Sequence, residues 1–147
     1  MLAGAMNEPT GKPCSALQKT SGMLFFARTL DKIRLKAAGN LHPDYHENCG
    51  GGMDNWCCGF LRVDYGELKA RVLEGGTNEE ILEWCFERGR RLDKTDLMVW
   101  NSFVKKLGWE DFASGFLEKC KAESGFADRP DILTIPQYFE VDEGRRP

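Results

Sequence analysis

The residues best equipped for chemistry crowd into one segment. Residues 39–60 read GNLHPDYHENCGGGMDNWCCGF and hold both histidines of the chain, His42 and His46, three of its six cysteines, and the acids Asp44, Glu47 and Asp54. Two chemistries follow from these residue types. His42-x3-His46-x2-Cys49, with Cys57 or Cys58 beyond, offers the nitrogen and sulfur ligands that zinc prefers. Pro43 keeps the two histidines off one regular helical turn, and a structural zinc site shows two close ligand pairs where only one stands here. The plainer account is a surface loop whose cysteines bury as small hydrophobes. The second chemistry is a reactive thiol. Cys49 lies three residues after His46 and five before Asp54, and an imidazole within reach would lower its pKa and make a nucleophile or redox centre. Gly50-Gly51-Gly52 would let backbone N–H groups approach an anion or oxyanion, or would serve as a flexible turn. The candidate catalytic residues are therefore His46, Cys49 and Asp54, and the candidate metal ligands His42, His46, Cys49 and Cys57. Neither set is a complete constellation, so the expectation leans away from an enzyme. No cofactor is expected, with zinc as the alternative.

A basic row leads into this loop. Arg28, Lys32 and Lys36 are spaced by four, with Arg34 nearby, and could hold a phosphate or carboxylate. Asp31 sits among them and offsets part of the charge. A charged row opposite an apolar one is ordinarily a solvated helix face. The Glu87, Arg88, Arg90 and Arg91 cluster falls at a helix end, where cations complement the dipole.

The elements that must position these residues are helical. Phe26, Leu30, Ile33 and Ala37 fall on one face of a helix expected over roughly 23–38, ended by Gly39-Asn40. Asp64 and Glu67 have capping-box spacing, with Val63 and Leu68 as a hydrophobic staple. Leu68 and Val72 point inward before Gly75-Gly76. Thr77 and Glu80 make a second box before Ile81, Leu82, Cys85 and Phe86. Asp93 caps a helix carrying Leu97, Trp100, Val104 and Leu107. The widest stripe is Trp109, Phe112, Ala113, Phe116, Leu117 and Cys120, and Trp109, Phe112 and Phe116 are the aromatics expected deepest in the core. Apolar residues between Ile132 and Val141 imply an ordered C-terminal tail. No run alternates at period two, so no substantial sheet is expected. The reading is all-α: a compact bundle of about five helices, with one long irregular loop after the first. Residues 1–22, with Pro9 and Pro13, are expected to form an N-terminal arm, flexible or draped over the body. Residues 23–147 form a single helical domain.

Composition narrows the function classes. The chain has 147 residues and a formal net charge of -3, with 41% apolar and 29% charged residues. That balance is globular and lacks the basic footprint of nucleic-acid binding. No stretch is long or apolar enough to span a bilayer, so no membrane partner is expected. No export signal opens the chain, so the expected location is the cytoplasm, with reduced cysteines.

The run Ala27 to Arg34, then Ala38-Gly39, Tyr45-His46, Cys49 and Asp54, resembles a bacterial domain-of-unknown-function family, number 5069. Residues 78–84, NEEILEW, and the closing Val141-Asp142-Glu143-Gly144-Arg145 fit the same pattern. The resemblance runs from about Met23 onward. After the cysteine the chain departs from the pattern, with Gly50 to Met53 preceding Asp54. The resemblance implies that Arg28, Asp31, Lys32, Tyr45, His46, Cys49 and Asp54 form any shared site. The same residues could equally be a structural ion-pair network that pins the first helix. The leading expectation is a non-catalytic helical module binding a small anionic ligand or a protein partner. The alternative is a Cys/His-dependent enzyme, or a redox or metal-binding protein, using the 42–58 loop.

Overall fold

A computed structural model describes residues 11–147. The first ten residues of the expected arm lie outside it. From Gly11 the chain runs against the body. Gly11 forms a parallel bridge with Leu41, Cys14 N–H donates to Asp31 Oδ2 at 2.8 Å, and Ala16 is buried. Two strands of two residues each follow, β1 (Lys19–Thr20) and β2 (Met23–Leu24), paired antiparallel. They take the place of the first turn of the expected helix. Phe25 then adopts left-handed backbone, φ 74°, uncommon for a bulky residue, and the first helix starts after it.

Seven α-helices, not about five, occur among the described residues: α1 (Phe26–Ala37), α2 (Met53–Leu61), α3 (Tyr65–Leu73), α4 (Asn78–Arg88), α5 (Lys94–Lys106), α6 (Ser114–Glu123) and α7 (Ile135–Asp142). The two additions are α2, inside the segment read as irregular loop, and α7, in the tail. Helix α2 buries Met53, Cys57 and Leu61 together with Asp54 and Cys58. That is an i, i+4 pattern disguised by a glycine-rich approach and by its charged and thiol members. The capping expectations match the observed helix starts. Thr77 and Glu80 form a reciprocal capping box, Asp93 does the same with Asp96, and Asp64 accepts from Glu67 N–H. Each satisfies N–H groups that a helix start leaves open.

The core lies among α1, α3, α4 and α5, with α1 packed on α3 and α5 packed on β2 and α7. Trp100 on α5 fastens the hairpin by donating from Nε1 to the Leu24 carbonyl at 2.8 Å. Two expectations are corrected. Trp109, Phe112 and Phe116 are not deep: they are 50%, 71% and 51% exposed, whereas Phe25 and Phe26 are buried. The reason is local. Asp111 accepts from Gly108 and Ala113 N–H, so a turn occupies 108–113. Helix α6 begins only at Ser114, which breaks the expected stripe. The basic row is also not a solvated face. Arg28 and Lys32 are 2% and 6% exposed, and only Lys36 of the three faces solvent.

Candidate functional site

Two buried charges on one side of α1 organise the region. Arg28 lies one turn before Lys32, so both side chains leave the helix in the same direction. Arg28 grips Glu143, just past the end of α7, in a bidentate pair: Nη1 to Oε1 at 2.9 Å and Nη2 to Oε2 at 2.7 Å. Its Nη1 also donates to the Cys14 carbonyl at 3.0 Å. The guanidinium lies over the Phe139 ring, 4.3 Å from its centroid. Glu143 accepts further bonds from the Tyr45 hydroxyl at 2.9 Å and from Arg145 at 2.5 Å. Burial pushes the Glu143 carboxyl up, but the bonds and charge of Arg28, with Arg145 and Tyr45, outweigh it and hold it below the usual range. Burial and the neighbouring Glu143 charge raise the Tyr45 hydroxyl, so Tyr45 stays protonated at neutral pH.

Lys32 makes the second pair. Its Nζ donates to Asp54 Oδ2 at 2.8 Å and to the Asn48 carbonyl at 3.3 Å. Asp54 opens the first turn of α2, where a carboxylate complements the helix dipole. It also accepts from Thr29 Oγ1 at 3.0 Å and Gly50 N–H at 3.1 Å. Its oxygens are thus turned onto protein donors.

Above these pairs opens a cleft of about 250 Å³. Arg28, Lys32, Tyr45 and Asp54 belong to its lining, and its walls are apolar: Phe25, Met53, Trp56, Phe112, Phe116, Ile135 and Phe139. Trp56 and Phe112 meet edge to face, centroids 5.4 Å apart. Lys32 has three N–H donors, two of which have acceptors. The third has none among the described residues; Arg28, also in the lining, uses three of its five N–H groups on Glu143 and the Cys14 carbonyl. The Tyr45 oxygen, which donates its O–H in a hydrogen bond to Glu143, keeps acceptor capacity.

The structure brings four of the seven expected site residues, Arg28, Lys32, Tyr45 and Asp54, to one cleft and separates the other three from it. Asp31 binds the Cys14 backbone. His46 donates from Nε2 to the Leu41 carbonyl at 3.0 Å, and Cys49 Sγ points to the Tyr45 carbonyl at 3.4 Å. The expected His46, Cys49 and Asp54 constellation is therefore not assembled: each has a different partner. The zinc quartet is not assembled either. His42 Nδ1 accepts from Asp44 N–H, and Cys57 is buried on the core side of α2. Among the described residues no group of three or more His, Cys, Asp or Glu side chains is placed to hold a metal ion. Two of the three N–H groups in the glycine run are engaged within the loop itself. Gly50 N–H is taken by Asp54 and Gly51 N–H by the Asn48 carbonyl. Gly50 is required instead by crowding: at φ +84° a Cβ there would come 2.9 Å from the Tyr65 ring.

Glu143 and the aromatic walls escaped the sequence reading as site residues. Glu143 lies within the closing Val141–Arg145 motif, the one signal that could have found it. Trp56 sits beside the thiols that drew attention, and Phe112 and Phe116 were assigned to the core.

A family model described as a domain of unknown function (DUF5069) matches residues 10–145. No curated protein matches the chain. No helix among the described residues is long and apolar enough to cross a membrane.

Proposed function

The chain belongs to this domain-of-unknown-function family, and from the cleft on α1 we propose that it is a non-catalytic module that binds a small anionic ligand. One observation carries the reading. A nearly buried ammonium, Lys32, lines a concave, largely apolar cleft with two of its three donors met by Asp54 and the Asn48 carbonyl. A donor in such a place is costly to leave unmet, and a ligand acceptor would meet it. The catalytic alternative lacks support from geometry. Among the described residues no thiol–imidazole pair lines the cleft, Tyr45 is held protonated, and the Arg28 fork is committed to Glu143.

A protein partner is the second reading, favoured by the exposure of Phe112 and Phe116 at the cleft rim. All six cysteines are free thiols, which fits a reducing compartment such as the cytoplasm.

Thermal shift against acetate, phosphate, sulfate and benzoate at constant ionic strength tests the proposal. A saturating ligand at about 100 times its Kd adds about 2.7 kcal/mol, or a Tm rise of about 5–10 °C. A panel in which no anion raises Tm would remove the reading.

A further inference from the structure

Resting on the anion-binding reading, we infer that the cleft selects an aromatic monocarboxylate, a planar ring carrying one carboxylate, over phosphates, sugars and neutral amides. Charge sets the head group. Two cations and one carboxylate line the cleft, and Glu143 neutralises Arg28 from behind through a bidentate pair. Asp54 does the same for Lys32, so these four charges cancel and the lining holds no cationic excess to offset a doubly charged head group. A phosphate monoester brings close to two and is held best by a free Arg fork or several convergent donors. Here the fork is occupied, and a second charge would face Asp54. A single carboxylate uses the remaining Lys32 N–H with one oxygen and stands within the field of a buried ammonium.

The walls set the body of the ligand. Phe25, Trp56, Phe112, Phe116 and Phe139 contribute ring surface. Trp56 is 36% and Phe112 71% exposed, so both have faces still in water. Planar rings pack on such faces offset or edge-on, with centroids about 4.5–7 Å apart, and gain beyond area burial. A sugar would leave its hydroxyls unmatched against these walls. The volume of about 250 Å³ falls just below the range of pockets that take drug-sized molecules, which suits a single or fused ring.

Isothermal titration calorimetry of the intact chain tests the assignment with benzoate, benzamide, cyclohexanecarboxylate, acetate and inorganic phosphate. Benzoate is expected to bind at least tenfold tighter than each of the others. Phe112→Ala, a change at an exposed ring, should lose about tenfold in benzoate affinity while Tm falls by only a few degrees through the lost contact with Trp56. Lys32→Met combined with Asp54→Asn removes both charges of the pair together, and should bring benzoate down to the benzamide value. If that double variant fails to fold, the benzoate-to-benzamide ratio on the unaltered chain still decides the head group. Benzamide or cyclohexanecarboxylate binding as tightly as benzoate overturns the assignment. Acetate or phosphate binding more tightly than benzoate overturns it while leaving the anion module standing. No binding by any anion ends both.

Discussion

Glu143→Gln removes one charge and almost no volume, so its effect reports on the network alone. Glu143 Oε1 accepts from Arg28 Nη1 and Arg145, and Oε2 accepts from Arg28 Nη2 and Tyr45. Glutamine has one oxygen and one NH2 in those two positions. Whichever way the amide is turned, its donors oppose an Arg28 N–H, and either Tyr45 or Arg145 loses an acceptor. Arg145 is partly exposed and also pairs with Glu140, so it finds relief. Arg28 is buried and keeps only the amide oxygen and the Cys14 carbonyl. Breaking a buried pair from one side costs about 3–5 kcal/mol, against a total stability of about 5–15 kcal/mol. For a chain near this size that is a fall in Tm of about 10 °C. The assay is urea and thermal unfolding followed by circular dichroism, on Glu143→Gln, Arg28→Met and the double variant. Since the two residues touch, the double variant should lose less than the sum of the singles by about 2 kcal/mol. A Glu143→Gln loss under about 1 kcal/mol, or strict additivity in the cycle, would refute the reasoning.

Acid should act through the same carboxyl. Glu143 sits below its ordinary value of 4.5 in the folded protein and returns to it on unfolding, so the unfolded chain binds more protons in between. Its contribution is full above about pH 5 and is lost as pH falls below 4.5 through the lowered value; a Glu143→Gln variant should show a flatter loss over that window in denaturant titrations. At Gly89 a Cβ would lie 2.0 Å from the Leu61 carbonyl oxygen, so Gly89→Ala should cost about 3 kcal/mol through backbone displacement, and an unfolding midpoint equal to the parent would contradict the close approach. The thiols of Cys58 and Cys85 are pushed up to about 12, first by burial, and complete burial raises Cys57 well above the ordinary thiol value. All three should resist iodoacetamide at pH 8 until denaturant is added, as read by mass spectrometry, and native-state labelling at the rate of a free thiol would place them elsewhere.

What the chain wrote locally could be read from it directly. Helix starts at Asp64, Thr77 and Asp93 depend on side chains reaching N–H groups three residues on, and the all-α class depends on apolar spacing of three and four. Both are short-range effects, so residue order alone determined them. The site was legible only as a set of names. Arg28, Lys32, Tyr45 and Asp54 could be picked out, but whether the cations faced water could not. That depended on Asp54, 22 residues beyond Lys32, and on Glu143, 115 residues beyond Arg28. A charge goes inside only where its counter-charge arrives, and helical periodicity carries no information about arrivals from that far along the chain. The aromatics show the same limit in reverse. Phe112 and Phe116 have core-like spacing, yet Asp111 closes a turn that takes them off the helix face and leaves them at the mouth of the cleft. Tertiary structure decided which charges were buried and which rings were left in water, because both outcomes depend on partners that only the fold supplies.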